Sequence, residues 1–171
     1  AAARAIIAAM PKAPVAFKPL LVQALGSMPR TIAQPYCKAL AQHGEGRERW
    51  AAFTACTRWG ITPGELFPPE DTFSRWERQQ YVQGWLYAAD ALMAQGEAQA
   101  AAEVYNRLAM SASAPHYQAA VLTGLADARS ELLLRQALGW RRMPQSGVTA
   151  ARLLVETDLP GIDVVGRLRQ A

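Results

Sequence analysis

The chain has 171 residues, of which 51% are apolar and 19% charged, and it carries a net charge of +4. This apolar content excludes a disordered tail and is sufficient for a domain with its own hydrophobic core. The 34 alanines outnumber the 22 β-branched residues, which favours helices and excludes an all-β fold, because alanine has the highest helix propensity.

Prolines and glycines divide the first part of the chain into short helical segments, because neither residue continues a helix well. The helices predicted here are 2–9, 16–25, 32–42 and 47–59. Thr31 and Gln34 have the spacing of a capping box for the third of them. Residues 60–70 contain two glycines and three prolines, so they are predicted to form the main internal break.

A long amphipathic helix is predicted after this break, with Asp71 as its N-cap. The helices predicted in this part are 71–95, 97–110, 117–128, 130–139, 148–156 and 163–170. Most connections are short, so consecutive helices are expected to be antiparallel neighbours. The predicted fold is all-α, an α-solenoid of antiparallel helix pairs, and the alternative is a closed multi-helix bundle. We expect one helical-repeat domain over residues 1–171, which is either complete or a fragment of a longer chain.

Aromatic residues recur at helical spacing on two of the predicted helices. They are Trp50, Phe53, Trp59, Trp76, Tyr81 and Trp85. This spacing favours packing in the core over a platform on which nucleic-acid bases stack. Trp140, next to Arg141 and Arg142, is the best candidate for an exposed basic-aromatic contact, but two arginines give weak support to nucleic-acid binding.

One stretch of the chain has the residue pattern of a helical hairpin. Trp85 is followed by a turn at Gly96, a small residue at Ala101 and an aromatic one helical turn later at Tyr105. With these residues, 82–115 resembles a tetratricopeptide repeat, a helix-turn-helix unit of 34 residues. The flanking helix pairs are interpreted as degenerate repeats of this kind or as HEAT-like repeats, since a single repeat cannot bury its own faces.

The resemblance implies that the first helix of the pair lines a concave surface that binds a partner. The groove positions of the family correspond to Gln83, Leu86, Asp90 and Met93, whose spacing places them in one stripe on a helix. An amide, a carboxylate and two flexible apolar side chains suit a protein or peptide partner. The alternative is that Leu86 and Met93 pack on the preceding helix pair.

No motif for catalysis, cofactor binding or metal binding is found in the sequence. His43, His116, Cys37 and Cys56 do not have metal-ligand spacing, and no glycine-rich phosphate loop is present. We therefore expect no catalytic residue, cofactor or metal. The two cysteines are interpreted as buried thiols, with a disulfide between them as the alternative. The acidic groups Glu65, Glu70 and Asp71 are interpreted as charges at helix N-termini.

Charge is distributed unevenly along the chain, with a balance of +6 in residues 1–60, −4 in 61–110 and +2 in 111–171. The leading hypothesis is a non-enzymatic adaptor or scaffold that binds a protein or peptide, as part of a larger bacterial assembly. One alternative is a nucleic-acid-binding helical array, which the basic N-terminal third favours. Another is a helical accessory domain of a larger enzyme. No apolar run is long enough for a transmembrane segment.

Overall fold

A computed structural model of the chain describes residues 2–69, 72–110, 114–140, 144–157 and 159. Within these residues all regular structure is helical and there is no strand, which confirms the all-α prediction. The chain divides into two compact units, Ala1–Ala91 and Leu92–Ala171. The boundary between the units falls inside the stretch 82–115. The interpretation of this stretch as a repeat stays a prediction, and so does the single helical-repeat domain over residues 1–171.

Each predicted helix in the described residues has a counterpart, with ends shifted by up to four residues. The predicted helix 163–170 lies outside the described residues. A short helix within the break at 60–70 was not predicted, and it begins at a proline, which is tolerated in the first turn. The helices of the described residues are α1 Ala2–Ala9, α2 Lys18–Gly26, α3 Arg30–His43, α4 Gly46–Thr57, α5 Pro63–Leu66, α6 Arg75–Ala94, α7 Ala98–Ala109, α8 Pro115–Asp127, α9 Leu132–Trp140 and α10 Pro144–Glu156.

The predicted capping box of α3 is wrong. The helix begins at Arg30, directly after Pro29, so Thr31 already lies within the first turn and does not cap it. Gln34 instead accepts a hydrogen bond from Arg30, with 2.9 Å between the Arg30 Nε and Gln34 Oε1 atoms.

A capping box is present at the start of α6. The Ser74 N–H donates to Glu77 Oε2 at 2.8 Å, and the Glu77 N–H donates to Ser74 Oγ at 3.3 Å. These reciprocal bonds satisfy two backbone donors that have no partner within the helix. The predicted N-cap, Asp71, lies outside the described residues. Glu65 is in the first turn of α5, as interpreted from the sequence, and accepts a bond from the Thr62 N–H at 3.0 Å.

The core of the first unit is built where small residues let helices approach closely. α3 packs on α4, and α2 packs on both. On α3 the buried stripe is Ala33, Cys37 and Ala41, at successive steps of four residues. Gly26 at the end of α2 lies so near α4 that an added Cβ would be 3.0 Å from the Cβ of Ala55. Close approach of this kind excludes water and gives dense packing.

In the second unit, α8 packs on α7, α9 and α10, and α9 also packs on α10. The Tyr105 ring of α7 lies directly over Gly124 of α8, where any larger residue would collide with it. A hydrogen bond of 2.8 Å from Gln136 Nε2 to Asn106 Oδ1 joins α9 to α7. The side chains buried between these helices are mainly leucine and valine, at Leu108, Val121, Leu122, Leu125 and Leu133.

Candidate functional site

The predicted binding stripe on α6 is only partly accessible. Asp90 is exposed and Gln83 is half-buried, whereas Leu86 has only 8% of its surface exposed. Met93, which belongs to the second unit, is half-buried. Leu86 therefore offers little surface to a partner, as the alternative interpretation of this residue expects. The role of the stripe in binding stays a prediction.

Five of the six predicted aromatic core residues belong to one cluster in the first unit, and the sixth, Trp59, is half-buried. Trp50 lies within this cluster. Its ring makes edge contacts with four others at centroid distances between 5.2 and 5.8 Å. Edge-to-face contacts of this kind stabilise a core beyond the area they bury. The four neighbouring rings belong to Phe53, Phe67, Phe73 and Trp76.

The polar atoms of this cluster have partners inside it. The Trp50 indole N–H donates to Glu77 Oε1 at 3.3 Å, and the Tyr81 hydroxyl donates to the Phe67 carbonyl at 3.2 Å. The Arg49 guanidinium lies 4.0 Å from the centre of the Phe67 ring, in cation–π geometry. Trp50, Phe53, Tyr81 and Trp85 are buried, which confirms that they pack in the core, but Trp76 is 49% exposed.

Glu77 links the capping box to the aromatic cluster, and it is expected to make stability depend on pH. Hydrogen bonds with Ser74, first its side chain and then its backbone N–H, lower the pKa of Glu77 below its ordinary value of 4.5. A lowered pKa means that the folded state favours the carboxylate, so the stabilisation is present above the unfolded-state pKa and is lost as pH falls through the folded one.

We therefore expect Glu77→Gln to lower the melting temperature near neutral pH and to lower it less as pH falls through the lowered pKa of the folded-state carboxyl, because that carboxyl is then protonated in the wild type as well. Thermal unfolding of both proteins across this range, followed by circular dichroism, measures the difference. Glu103→Gln, at an exposed position on α7, is the control. An equal deficit for Glu77→Gln at every pH would contradict the assignment.

The two cysteines are free, buried thiols in this structure, as interpreted from the sequence. Cys37 and Cys56 lie on α3 and α4 and are both fully buried. Burial raises the pKa of the Cys37 thiol to about 11 and that of Cys56 to about 12. Only the thiolate is a good nucleophile, so both groups are expected to be unreactive in the folded protein.

Labelling with a thiol-reactive disulfide reagent near pH 8 should thus modify neither cysteine in the folded chain and both in urea. Mass spectrometry counts the labels. Rapid labelling of either cysteine without denaturant would show that the α3–α4 contact opens readily.

The described residues show neither a group of metal-ligand side chains nor a membrane-spanning helix. No three His, Cys, Asp or Glu side chains there lie close enough together to hold a metal ion. No described helix is long and apolar enough to cross a membrane.

His43 and His116 are exposed, and Trp140 is buried. Arg141 and Arg142, the other members of the predicted basic-aromatic contact, lie outside the described residues.

An exposed apolar surface near the N-terminus was not predicted. Val15, Phe17 and Leu20 are 76%, 58% and 56% exposed, and we call them the N-terminal apolar surface. Val15 and Phe17 belong to a short 3-10 helix that leads into α2, which buries Val22 and Leu25 on its inner face. Phe17 and Leu20 are three residues apart along this helical segment, so their side chains are neighbours on its outer face.

This apolar surface lies in a part of the sequence without acidic residues. Residues 1–44 contain no Asp or Glu. They contain five basic residues, Arg4, Lys12, Lys18, Arg30 and Lys38. Lys12 is exposed, whereas Lys18 is partly buried and forms an ion pair of 3.8 Å with Glu48 on α4. The surface thus combines large apolar side chains with positive charge.

The apolar residues of this surface are visible in the sequence, but their periodicity does not show which of them face solvent. Leu20, Leu21 and Val22 are consecutive apolar residues, and Lys18 and Gln23 are the only charged or amide side chains of α2, so its polar face is too sparse to mark the solvent side clearly. The inner side is determined only by the contacts of α2 with α3 and α4.

No protein-family model, curated protein or solved structure matches this chain. Function is therefore inferred from the exposure and chemistry of the side chains in the described residues.

Proposed function

We propose that this chain is a non-enzymatic protein-interaction module, an adaptor or scaffold, which binds its partner through the N-terminal apolar surface. The observation that carries this proposal is the exposure of Val15, Phe17 and Leu20 within six residues, in the short 3-10 helix and at the start of α2, whose inner face is well packed. Clustered exposed apolar side chains mark interaction sites more often than isolated ones do.

The succession of short helices joined by short connections supports a helical-repeat arrangement, for which we propose the α-solenoid over the closed bundle. Solenoids present extended surfaces that bind peptides and partner domains. In this view the exposed positions of the α6 stripe, Gln83 and Asp90, form a second candidate contact surface.

A protein partner is favoured over nucleic acid by the balance of apolar and charged groups at this surface. Binding to a phosphate backbone needs several cations that neutralise phosphates together. Only Lys12 and Lys18 flank the three apolar side chains in sequence, which is fewer cations than such binding uses.

The test is quantitative capture of partners from the cell that makes this protein. Because each apolar side chain contributes about 1.5–3 kcal/mol when buried, Phe17→Ser with Leu20→Ser should reduce partner retention at least about tenfold. Val148→Ser with Val155→Ser is the matched control, since both valines are exposed, at 73% and 84%, in the second unit. All variants should keep the wild-type stability within about 0.5 kcal/mol, because the changes are on the surface.

A third variant, Gln83→Ala with Asp90→Ala, separates the two candidate surfaces. If it loses the partner while the Phe17 and Leu20 variant retains it, the stripe on α6 is the site and the N-terminal apolar surface is not. If all three variants retain the same proteins as the wild type, the proposed interaction function through these surfaces is wrong.

A further inference from the structure

We propose that the segment bound by the N-terminal apolar surface is an acidic peptide that carries apolar side chains. This inference rests on the proposed function, and it specifies the chemistry of the partner. It follows from the placement of Val15, Phe17 and Leu20 in a region whose ionisable side chains are cationic.

The positive charge of this segment favours a partner that carries negative charge. The first 44 residues have no Asp or Glu, so no carboxylate of this segment offsets its five cations. Glu48 on α4 is the acidic group that forms an ion pair with α2, at 3.8 Å from the Lys18 ammonium. Complementary charge steers association and disfavours partners of like charge.

Two lysines lie close in sequence to the apolar side chains, so a bound peptide can make ionic contacts as well as apolar ones. Lys12 is exposed three residues before Val15, and Lys18 lies between Phe17 and Leu20 in the sequence. The Lys18–Glu48 pair is long and partly solvated, so a carboxylate of a partner can share the Lys18 ammonium at small cost. A peptide with Leu or Phe flanked by Asp or Glu therefore matches the surface.

Two other occupants fit the observations less well. A second copy of the chain that used the same surface would place its own cations against the cations of the first copy, and like charges repel. An anionic membrane gains only about 1 kcal/mol per cation, and recognition of such a surface is typical of clusters of about 4–8 basic residues. Only Lys12 and Lys18 flank the apolar side chains in sequence.

The experiment is selection of binders from a random peptide library displayed on phage, with the full chain immobilised. We expect the selected peptides to be enriched in Asp and Glu together with Leu, Phe or Trp. Phe17→Ser with Leu20→Ser should lower their recovery at least about tenfold. Lys12→Glu should remove the acidic preference while peptides with apolar residues are still selected. Arg135→Glu, at an exposed position on α9 in the second unit, is a control of equal charge change.

The outcomes distinguish this inference from the proposed function. Selected peptides that depend on Phe17 and Leu20 but are neutral or basic would overturn the acidic partner and leave the interaction module standing. No recovery above background, with the wild type indistinguishable from the Phe17 and Leu20 variant, would count against both. Vesicles of phosphatidylcholine and phosphatidylserine are tested in parallel, and binding to them that requires Phe17, without selection of acidic peptides, would assign the surface to membranes and overturn the proposal.

Discussion

Replacing Trp50 by Ala is expected to lower the free energy of unfolding by about 3–5 kcal/mol, the cost of removing a buried tryptophan. The substitution removes the centre of the aromatic cluster, where the Trp50 ring contacts four others. It also leaves Glu77 without the indole donor at 3.3 Å. Urea unfolding followed by far-ultraviolet circular dichroism measures the change.

Two further variants distinguish the effect of the buried position of Trp50 from the effect of losing an aromatic side chain at any position. Trp76→Ala removes the same side chain from a site that is 49% exposed, so we expect about 1–2 kcal/mol. Trp50→Phe keeps a ring in the cluster and should be milder than Trp50→Ala. Equal losses for Trp50→Ala and Trp76→Ala would contradict the central position of Trp50.

The second large effect is expected at Gly124 in α8. A Cβ at this position would collide with the Tyr105 ring, which is buried with 4% of its surface exposed. Gly124→Ala should therefore destabilise the second unit by about 1–3 kcal/mol, although alanine adds about 1 kcal/mol of helix propensity. Chemical unfolding of the variant beside the wild type tests this.

Gly139 in α9 is the matched control, because an added Cβ there meets no atom within 4 Å. Gly139→Ala should stabilise the chain by up to about 1 kcal/mol, so the same substitution has opposite signs at the two positions. The double variant Gly124→Ala with Tyr105→Leu should be less destabilised than the sum of its parts, since the smaller side chain removes the collision. Additive losses would show that Tyr105 is not the cause.

Much of the helical framework could be predicted from the sequence because local signals determine it. Gly44 and Glu45 separate α3 from α4, which begins at Gly46, and Gly96, with a φ of +80°, ends the segment before α7. The alanine-rich composition leaves few other conformations open to the intervening segments. The burial of Trp50 and Phe53 followed from their spacing in the same way.

Helix starts were harder to predict, because several polar residues compete for each cap. Thr31 and Gln34 have the spacing of a capping box, yet Pro29 fixes the backbone two residues before Thr31 and α3 begins at Arg30. At α6 the pattern Ser74-x-x-Glu77 carried an equally good signal, and the structure shows that this pair makes the reciprocal bonds.

The candidate site could not be predicted from periodicity. Leu20 and Val22 are equally apolar in the sequence, and only packing against α3 and α4 turns Val22 inward and leaves Leu20 exposed. For Leu86 on α6 the resemblance to a repeat predicted a surface position, whereas the structure buries the side chain. Exposure of an apolar residue depends on tertiary contacts that a single sequence does not specify.

Site-specific photo-crosslinking at position 17 in the cell that makes the protein tests the central claim most directly. A photoreactive phenylalanine analogue in place of Phe17 should give discrete adducts with a partner protein, and adding Lys12→Glu should reduce their yield. The same analogue at Val148, which is more exposed than Phe17 (73% against 58%) but lies in the second unit, should give none of these adducts. Identical adducts from both positions, or none from position 17, would contradict a binding role for the N-terminal apolar surface.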